Sequence, residues 1–309
     1  MKLFPNTVIN FHVVHDPIWM EFVLKTLKSL FNMVSAQHIE SYYYSGEKLK
    51  NACHITFDDG HQSFYYNVFP LLKELRIPAT LFVSPKAILN RENFWFQEIG
   101  GYNRQIFKKF IKKQININNS RLQKIPLNSF LKNMDLENIW KVIEQYQKQM
   151  NTGPTPCVNI TSEQLIELHQ SGLVTIGAHT MNHPILKNEK DKMASLEIQK
   201  SIEGLKILLN ADIKYFAYPN GVPGLDFDER EMEVLRENGI ALAFSTENKS
   251  FNKRNNPLNI PRRGISKGNR IFLIFKLLWG QHWDKLKRTI GGKQENDYRL
   301  MLKRMEVLP

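Results

Sequence analysis

The sequence predicts an α/β fold, a distorted (β/α) barrel with about seven parallel strands. Three observations carry this. Short apolar runs rich in β-branched and aromatic residues recur along the 309 residues. Amphipathic helical patterns lie between them. Polar residues able to do chemistry gather where the runs end. Continuous apolar strands alternating with helices read as βα units in a parallel sheet covered on both faces. About seven such runs favour a closed or nearly closed barrel, with an open doubly wound sheet as the alternative.

In order, the strand runs are TVINFHVV (7–14), CHITF (53–57), ATLFVS (79–84), LVTIGA (173–178), IKYFAY (213–218), ALAFST (241–246) and LNIPRR (258–263). Helical patterns occupy 18–34, 65–76, 161–172, 193–210 and 228–239. Thr161-Ser162-Glu163 marks a helix start, and Gly172 and Gly239 mark helix ends. Residues 86–160 interrupt the alternation with NFWFQEIGGY, a basic helical stretch and the loop MNTGPTPCVN. They read as an insertion between two strands of a barrel spanning 1–268. A basic amphipathic tail follows over 269–309.

Composition narrows the class. Apolar content of 42% with mixed charges means a packed globular chain. Two cysteines, Cys53 and Cys157, are too few for a disulfide framework and point to a reducing compartment. The start MKLFPNTVINFHVVHDP has no unbroken apolar stretch of signal-peptide length, so a cytoplasmic protein is expected. The net charge of +12 is concentrated. Residues 103–150 hold ten Lys/Arg against three Asp/Glu, and residues 262–309 hold twelve against four. Such patches attract anionic lipid, phosphorylated substrates or nucleic acid, or are simply solvated helix faces. No nucleic-acid recognition motif accompanies them, and nucleic acid is not an expected partner.

In parallel α/β folds the site forms at the carboxyl ends of the strands. His12 ends the first run, Asp58-Asp59-Gly60 the second, GAHTMNHP with His179 and His183 the fourth, YPNG (218–221) the fifth and PRRG (261–264) the seventh. Two histidines four apart, in a helical turn or tight loop, can aim both imidazoles at one point. With one carboxylate they make a metal set open on one side. The other Asp then stays free beside the metal as a general base. Alone, an HxxxH pair is commonly structural and Asp-Asp-Gly commonly a turn. Together, each after an apolar strand, they point to a metal hydrolase.

TFDDG, HTMNHP and FAYPNG, in that order, resemble the polysaccharide deacetylase (nodulation-protein-B-like) family of metal-dependent carbohydrate esterases. NFHVV before a helix resembles the N-terminal segment of members with circularly rearranged motifs, and NFWFQEI and NIPRR also have counterparts. The likeness covers roughly residues 5–265. It implies Asp58 as general base and Asp59, His179 and His183 as ligands of a divalent metal, zinc first, with cobalt or nickel also used. It implies hydrolysis of N-acetyl groups on a sugar. The tetrahedral oxyanion would be met by a backbone N–H in Tyr218-Pro219-Asn220, at Asn220. His12 is the candidate acid for the leaving amine, with His15 competing. On a continuous strand these two would face opposite ways.

Departures from the family pattern matter. Ala217 stands where many members have an arginine, so the cation orienting Asp58 must come from Arg262 or Arg263, unless both merely bind solvent or a helix end. The usual late Leu-x-His-Asp segment is absent, which moves the acid to His12. His61 and His169 read as bystander and structural. Trp95 and Phe96 form either a sugar-stacking platform or core. A cytoplasmic setting implies a lipid-linked or nucleotide-linked N-acetylated sugar in surface-polysaccharide or lipopolysaccharide precursor metabolism. The tail IFLIFKLLWGQHWDKLKR fits a peripheral membrane contact or a packed final helix. Alternatives are an amidase on a cyclic imide or ureide, favoured by a small closed pocket, and a non-catalytic glycan-binding protein. The latter has no chemical need for all four of Asp58, Asp59, His179 and His183.

Overall fold

The computed structural model describes residues 4–114, 125–265, 267–277 and 293–305. Its strands are β1 (Thr7–Phe11), β2 (Asn32–Met33), β3 (Ala52–Phe57), β4 (Ala79–Val83), β5 (Val174–Ala178), β6 (Tyr215–Ala217), β7 (Leu242–Phe244) and β8 (Arg263–Gly264). All pairings are parallel, in the order β7-β6-β5-β4-β3-β1-β8, with β2 sharing the β4 side of β3 near its start. The curled seven-strand sheet is the distorted barrel the sequence predicts. Its two edges are joined by one irregular segment. Ala243 and Ser245 of the β7 edge exchange backbone hydrogen bonds with Pro257 and Ile260, and three residues later Arg263 pairs with Ile9 of β1. Pro257 and Pro261 lack the N–H a regular strand would use, which keeps this closure irregular.

Helices α1 (Pro17–Leu30), α2 (Ala36–Tyr44), α3 (Phe69–Leu75), α9 (Ser162–Gln170), α10 (Asp191–Leu209) and α11 (Glu229–Glu237) stand with the sheet. Between β4 and α9, the inserted residues fold as α4 (Pro85–Leu89), α5 (Trp95–Glu98), α6 (Arg104–Gln114), α7 (Leu127–Leu131) and α8 (Leu136–Met150). The last helix is α12 (Glu295–Arg304). Thr161 caps α9 by accepting the Gln164 N–H at 3.2 Å, and Gly172 and Gly239 sit at positive φ after α9 and α11. The α2 helix, opening on Ser35, was not foreseen; its three consecutive tyrosines blur the helical period.

The strands are apolar on both faces, as parallel strands should be. Ile9, Phe11, Ile55, Phe57, Leu81 and Val83 belong to the cluster that includes α1, α3, α9 and α10 side chains. Val8, Phe82, Ala217, Phe244 and Ile260 form a second cluster. The alternate positions Asn10, His54, Thr56 and Thr80 share that second face and are buried and polar. Their hydrogen bonds are internal. His54 spans the Val34 carbonyl at 2.8 Å and Thr80 Oγ1 at 2.9 Å, and Thr56 donates to the Ile9 carbonyl. The insertion carries its own apolar cluster, with Trp95, Phe107, Ile143 and Tyr146 at its centre. Trp95 is therefore core. In the tail, Leu273 and Leu277 are buried while Ile271 is exposed, and α12 rests on α7. The remaining part of the expected tail helix, 278–292, lies outside the described residues. Among the described residues no helix is long and apolar enough to cross a membrane, and both cysteines are free.

Candidate active site

Asp58 and Asp59 follow β3 directly. The β1–β3 register pairs Asn10 with Thr56 and Phe11 with Phe57, and the Asp58 N–H continues it by bonding the Phe11 carbonyl at 3.0 Å. One step further, His12 stands opposite Asp58. Its Nε2 lies 3.8 Å from Asp58 Oδ2, with the imidazole 52% exposed. The regular strand ends at Phe11, not Val14, so His12 and His15 both line one cleft of about 490 Å³. Only His12 reaches Asp58. The His15 ring instead meets His61 at 6.0 Å, and His61 is tied to Ser63 Oγ at 2.9 Å.

Arg262 provides the cation for Asp58. The side chain is 1% exposed and grips both carboxylate oxygens, at 2.7 and 2.8 Å. It also donates to the Ser245 carbonyl at 3.1 Å and Thr56 Oγ1 at 3.2 Å. Asn10 Nδ2 adds a bond to Asp58 Oδ2 at 3.3 Å. Burial works to raise the Asp58 carboxyl, but Arg262 outweighs it and holds the group below the usual carboxylate range. Arg263 does not reach the site. It donates to the Leu277 carbonyl and anchors the helical stretch at 270–277. Adjacent strand residues face opposite ways, so only one of the pair could enter. Asn10 and Thr56 escaped the sequence reading. Their signal was parity, since each lies two residues before a site residue on the same face.

Asp59 turns the chain out of the strand at φ 74°, followed by Gly60 at 71°. Left-handed backbone at a non-glycine residue is held only by its surroundings. A Cβ on Gly60 would meet Val83 Cγ1 at 3.0 Å. Asp59 Oδ1 lies 3.6 Å from His179 Nε2 and 3.3 Å from His183 Nε2. The histidines sit in a tight loop with Thr180 at φ 63° and His183 at φ 60°. The His179 Nδ1 faces the Ala217 carbonyl at 2.6 Å, which fixes its proton there and leaves Nε2 as the lone-pair donor. The His183 N–H donates to Thr180 Oγ1 at 3.0 Å, and Phe94 and Phe96 each place a ring 5.0 Å from the His183 ring. Glu197 on α10 holds the same loop, accepting from the Asn182 N–H at 2.8 Å and its side-chain amide at 2.6 Å.

These three residues fit a divalent ion. Asp59 Oδ1 is buried with no hydrogen-bond partner among the described residues, a costly state unless a cation meets it. Ligand atoms around a tetrahedral ion at about 2.0 Å stand about 3.3 Å apart, close to the distances from Asp59. Burial would raise the Asp59 carboxyl, but the two imidazoles hold it well below its usual range. Burial also lowers His183, favouring the neutral ring a metal needs.

The remaining expected residues divide. Tyr218 turns away: its hydroxyl donates to the Leu258 carbonyl at 2.8 Å and its ring stacks on Phe227 at 3.5 Å. Pro219 supports a tight turn, its carbonyl accepting the Gly221 N–H at 2.7 Å. Asn220, at φ 60°, is tied by its carbonyl to Thr246 Oγ1 at 2.7 Å and by its side-chain amide to Asp226 at 2.7 Å. Its own N–H makes no hydrogen bond with the described residues. His169 lines a hollow at the opposite, N-terminal ends of β5 and β6.

The strand ends of this parallel barrel thus bring an arginine-gripped Asp beside an Asp-His-His cluster that could hold a metal ion. The chain belongs to the polysaccharide deacetylase family, whose model matches residues 45–243. It is 24% identical over 237 residues to a poly-beta-1,6-N-acetyl-D-glucosamine N-deacetylase of Staphylococcus aureus, covering 74% of this chain and 59% of that one. A protein of the same name from Staphylococcus epidermidis matches at 24% over 233 residues, 73% of this chain and 58% of that one. The chain thus spans somewhat over half the length of these relatives. Among solved structures, IcaB from Ammonifex degensii superposes with a TM-score of 0.61 at 20% identity, covering 90% of this chain and 97% of that one. The Streptococcus pyogenes deacetylase PplD, in complex with acetate, superposes at 0.57 and 17% identity, covering 84% and 92%. Both share the fold.

Proposed function

We propose that this protein hydrolyses N-acetyl groups on amino sugars of a glycan, releasing acetate and a free amine. The observation that carries the reading is the pairing of two adjacent aspartates with opposite duties. Asp59 faces two imidazole nitrogens and is otherwise unpartnered, while Asp58 beside it is held by Arg262 and faces His12. A divalent ion held by Asp59, His179 and His183, zinc first with cobalt or nickel as alternatives, would supply Lewis acidity toward the amide carbonyl and toward water.

The chain's own groups do the rest. Asp58, kept ionised by Arg262, accepts the proton of the attacking water. That water's oxygen bonds to the carbonyl carbon. The free Asn220 N–H donates to the oxygen that becomes negative. His12 gives a proton to the nitrogen as the C–N bond breaks. Arg262 makes Asp58 a weak base that is always available, a sensible setting when the proton it takes comes from an acidified water.

The cleft beside Asp58 is walled by Trp19 as well as His12 and His15. An aromatic wall on an open cleft suits a sugar ring, and a β-1,6-linked N-acetylglucosamine polymer is the first substrate to try, as in the names of the relatives. Nucleotide-linked and lipid-linked N-acetylated sugars are the other arms of the assay. Exposed Ile271 and Phe275 beside Arg270 and Lys276 support a peripheral contact with an anionic membrane. Failure to sediment with anionic vesicles at low salt would remove that contact from the reading.

The test joins elemental analysis to acetate release. The parent should hold about one divalent ion per chain. Asp59→Ala should lose it, and Asp58→Asn should keep it while acetate release stops. A parent that takes up no metal when supplied sinks the assignment. Metal with no acetate from any sugar leaves the site and shifts the substrate to another amide.

A further inference from the structure

Asn220 does not hold its own place. Its side-chain amide donates to Asp226 Oδ2 at 2.7 Å, and the same oxygen takes the Val222 N–H at 2.8 Å. Asp226 is fully buried and its other oxygen is gripped by Arg299, also fully buried. Arg299 belongs to α12, which lies beyond the segment matched by the family model. It reaches the loop after β6 from more than seventy residues away in sequence, and also donates to the Lys132 carbonyl at 3.1 Å. The helix is fixed there by a Lys132–Glu295 pair at 2.6 Å and by Leu302 packing on Ile125 and Phe130.

We propose that Asp226 is a positioning residue for the Asn220 N–H, and that α12 acts through Arg299 as the brace that holds Asp226 in place. The inference rests on the reading of the Asn220 N–H as the oxyanion donor. Two facts favour positioning over stability. First, Arg299 Nε and Nη1 are buried without a hydrogen-bond partner among the described residues. An ion pair that leaves two donors unmatched is a poor stabiliser, and apolar replacement of such pairs is often neutral or better. Second, the loop needs outside support. Asn220 and Gly221 both lie at positive φ, and a Cβ on Gly221 would meet the Tyr218 carbonyl at 3.0 Å. With its carbonyl on Thr246 and its amide on Asp226, Asn220 is fixed at two points, and its N–H direction follows from them.

Two variants of the full chain test this, Asp226→Asn and the double Asp226→Leu/Arg299→Met. The double variant removes both charges together, so it should melt close to the parent. Each should keep about one metal ion per chain. For each, kcat should fall about tenfold or more with KM within twofold, because displacing one oxyanion donor acts on the transition state. Hydrogen exchange should speed up at the Gly221 and Val222 amides. Asn220→Ala added to Asp226→Asn should cost little more than the worse single change. A folded variant with kcat within twofold of the parent overturns the proposal. So does unchanged exchange at Val222, whether or not the parent proves active. Faster exchange alongside a parent that releases no acetate upholds the brace and sinks the oxyanion reading of the site.

Discussion

Removing Arg262 should expose the cost of burying Asp58. Consider Arg262→Met in metal-free protein kept in chelator. The variant loses two charge-assisted hydrogen bonds at 2.7 and 2.8 Å and leaves a carboxylate 2% exposed with Asn10, at 3.3 Å, as the side-chain donor that remains among the described residues. Breaking a buried ion pair on one side costs about 3–5 kcal/mol. The pH dependence follows in sign. In the parent, the Asp58 carboxyl lies below its unfolded value of 3.8, so it contributes stability above that value and loses it as pH falls through the folded one. In the variant the main group opposing burial is gone, so burial outweighs what Asn10, His179 and His12 still contribute and lifts the carboxyl above 3.8, and ionising it now costs stability at neutral pH. The gap between parent and variant in urea midpoints should therefore be widest near pH 7 and shrink towards about pH 4. Arg262→Met/Asp58→Asn should recover most of the loss, giving a coupling on the order of 3 kcal/mol. A single variant within about 1 kcal/mol of the parent at pH 7, or a gap that does not narrow in acid, refutes the argument.

Other outcomes follow from the same geometry. His12→Gln should keep the metal and lower acetate release by about 10²–10⁴-fold, the usual share of general acid catalysis; His15→Gln measured beside it should retain most of its rate, and the reverse ranking would move the acid to His15. His54 is buried and neutral, its pKa pushed down to about 4 from 6.5 by burial. The unfolded chain takes up this proton between those values and the folded chain does not, so stability is lost as pH drops from 6.5 to about 4, by about 3 kcal/mol at most. In urea titrations His54→Gln should flatten that slope, and an unchanged slope would contradict the burial argument.

Much of this was legible in the sequence, for local reasons. Seven parallel strands showed because each is buried on both faces and must be written as an apolar run. The candidate residues Asp58, Asp59, His179, His183 and His12 stood out against the runs before them because strand ends are where such a barrel admits polar side chains, and the fold brings them close together. Chain closure decided the rest. Arg262 and Arg263 are chemically equal in sequence; the register of the closing segment against β1 and β7 sends one to Asp58 and the other to Leu277. Tyr218 looked like a site residue until the short β6 strand turned its ring onto Phe227. For Trp95 the sequence left platform and core equally open, and the core built by the insertion decided for the latter. Asp226 and Arg299 meet only because α12 packs on the insertion, and a contact across 73 positions leaves no local pattern to read. Residue type and spacing along a strand fixed which chemistry was present. Which like residue faces inward, and what holds it there, depends on contacts between distant segments that exist only in the folded chain.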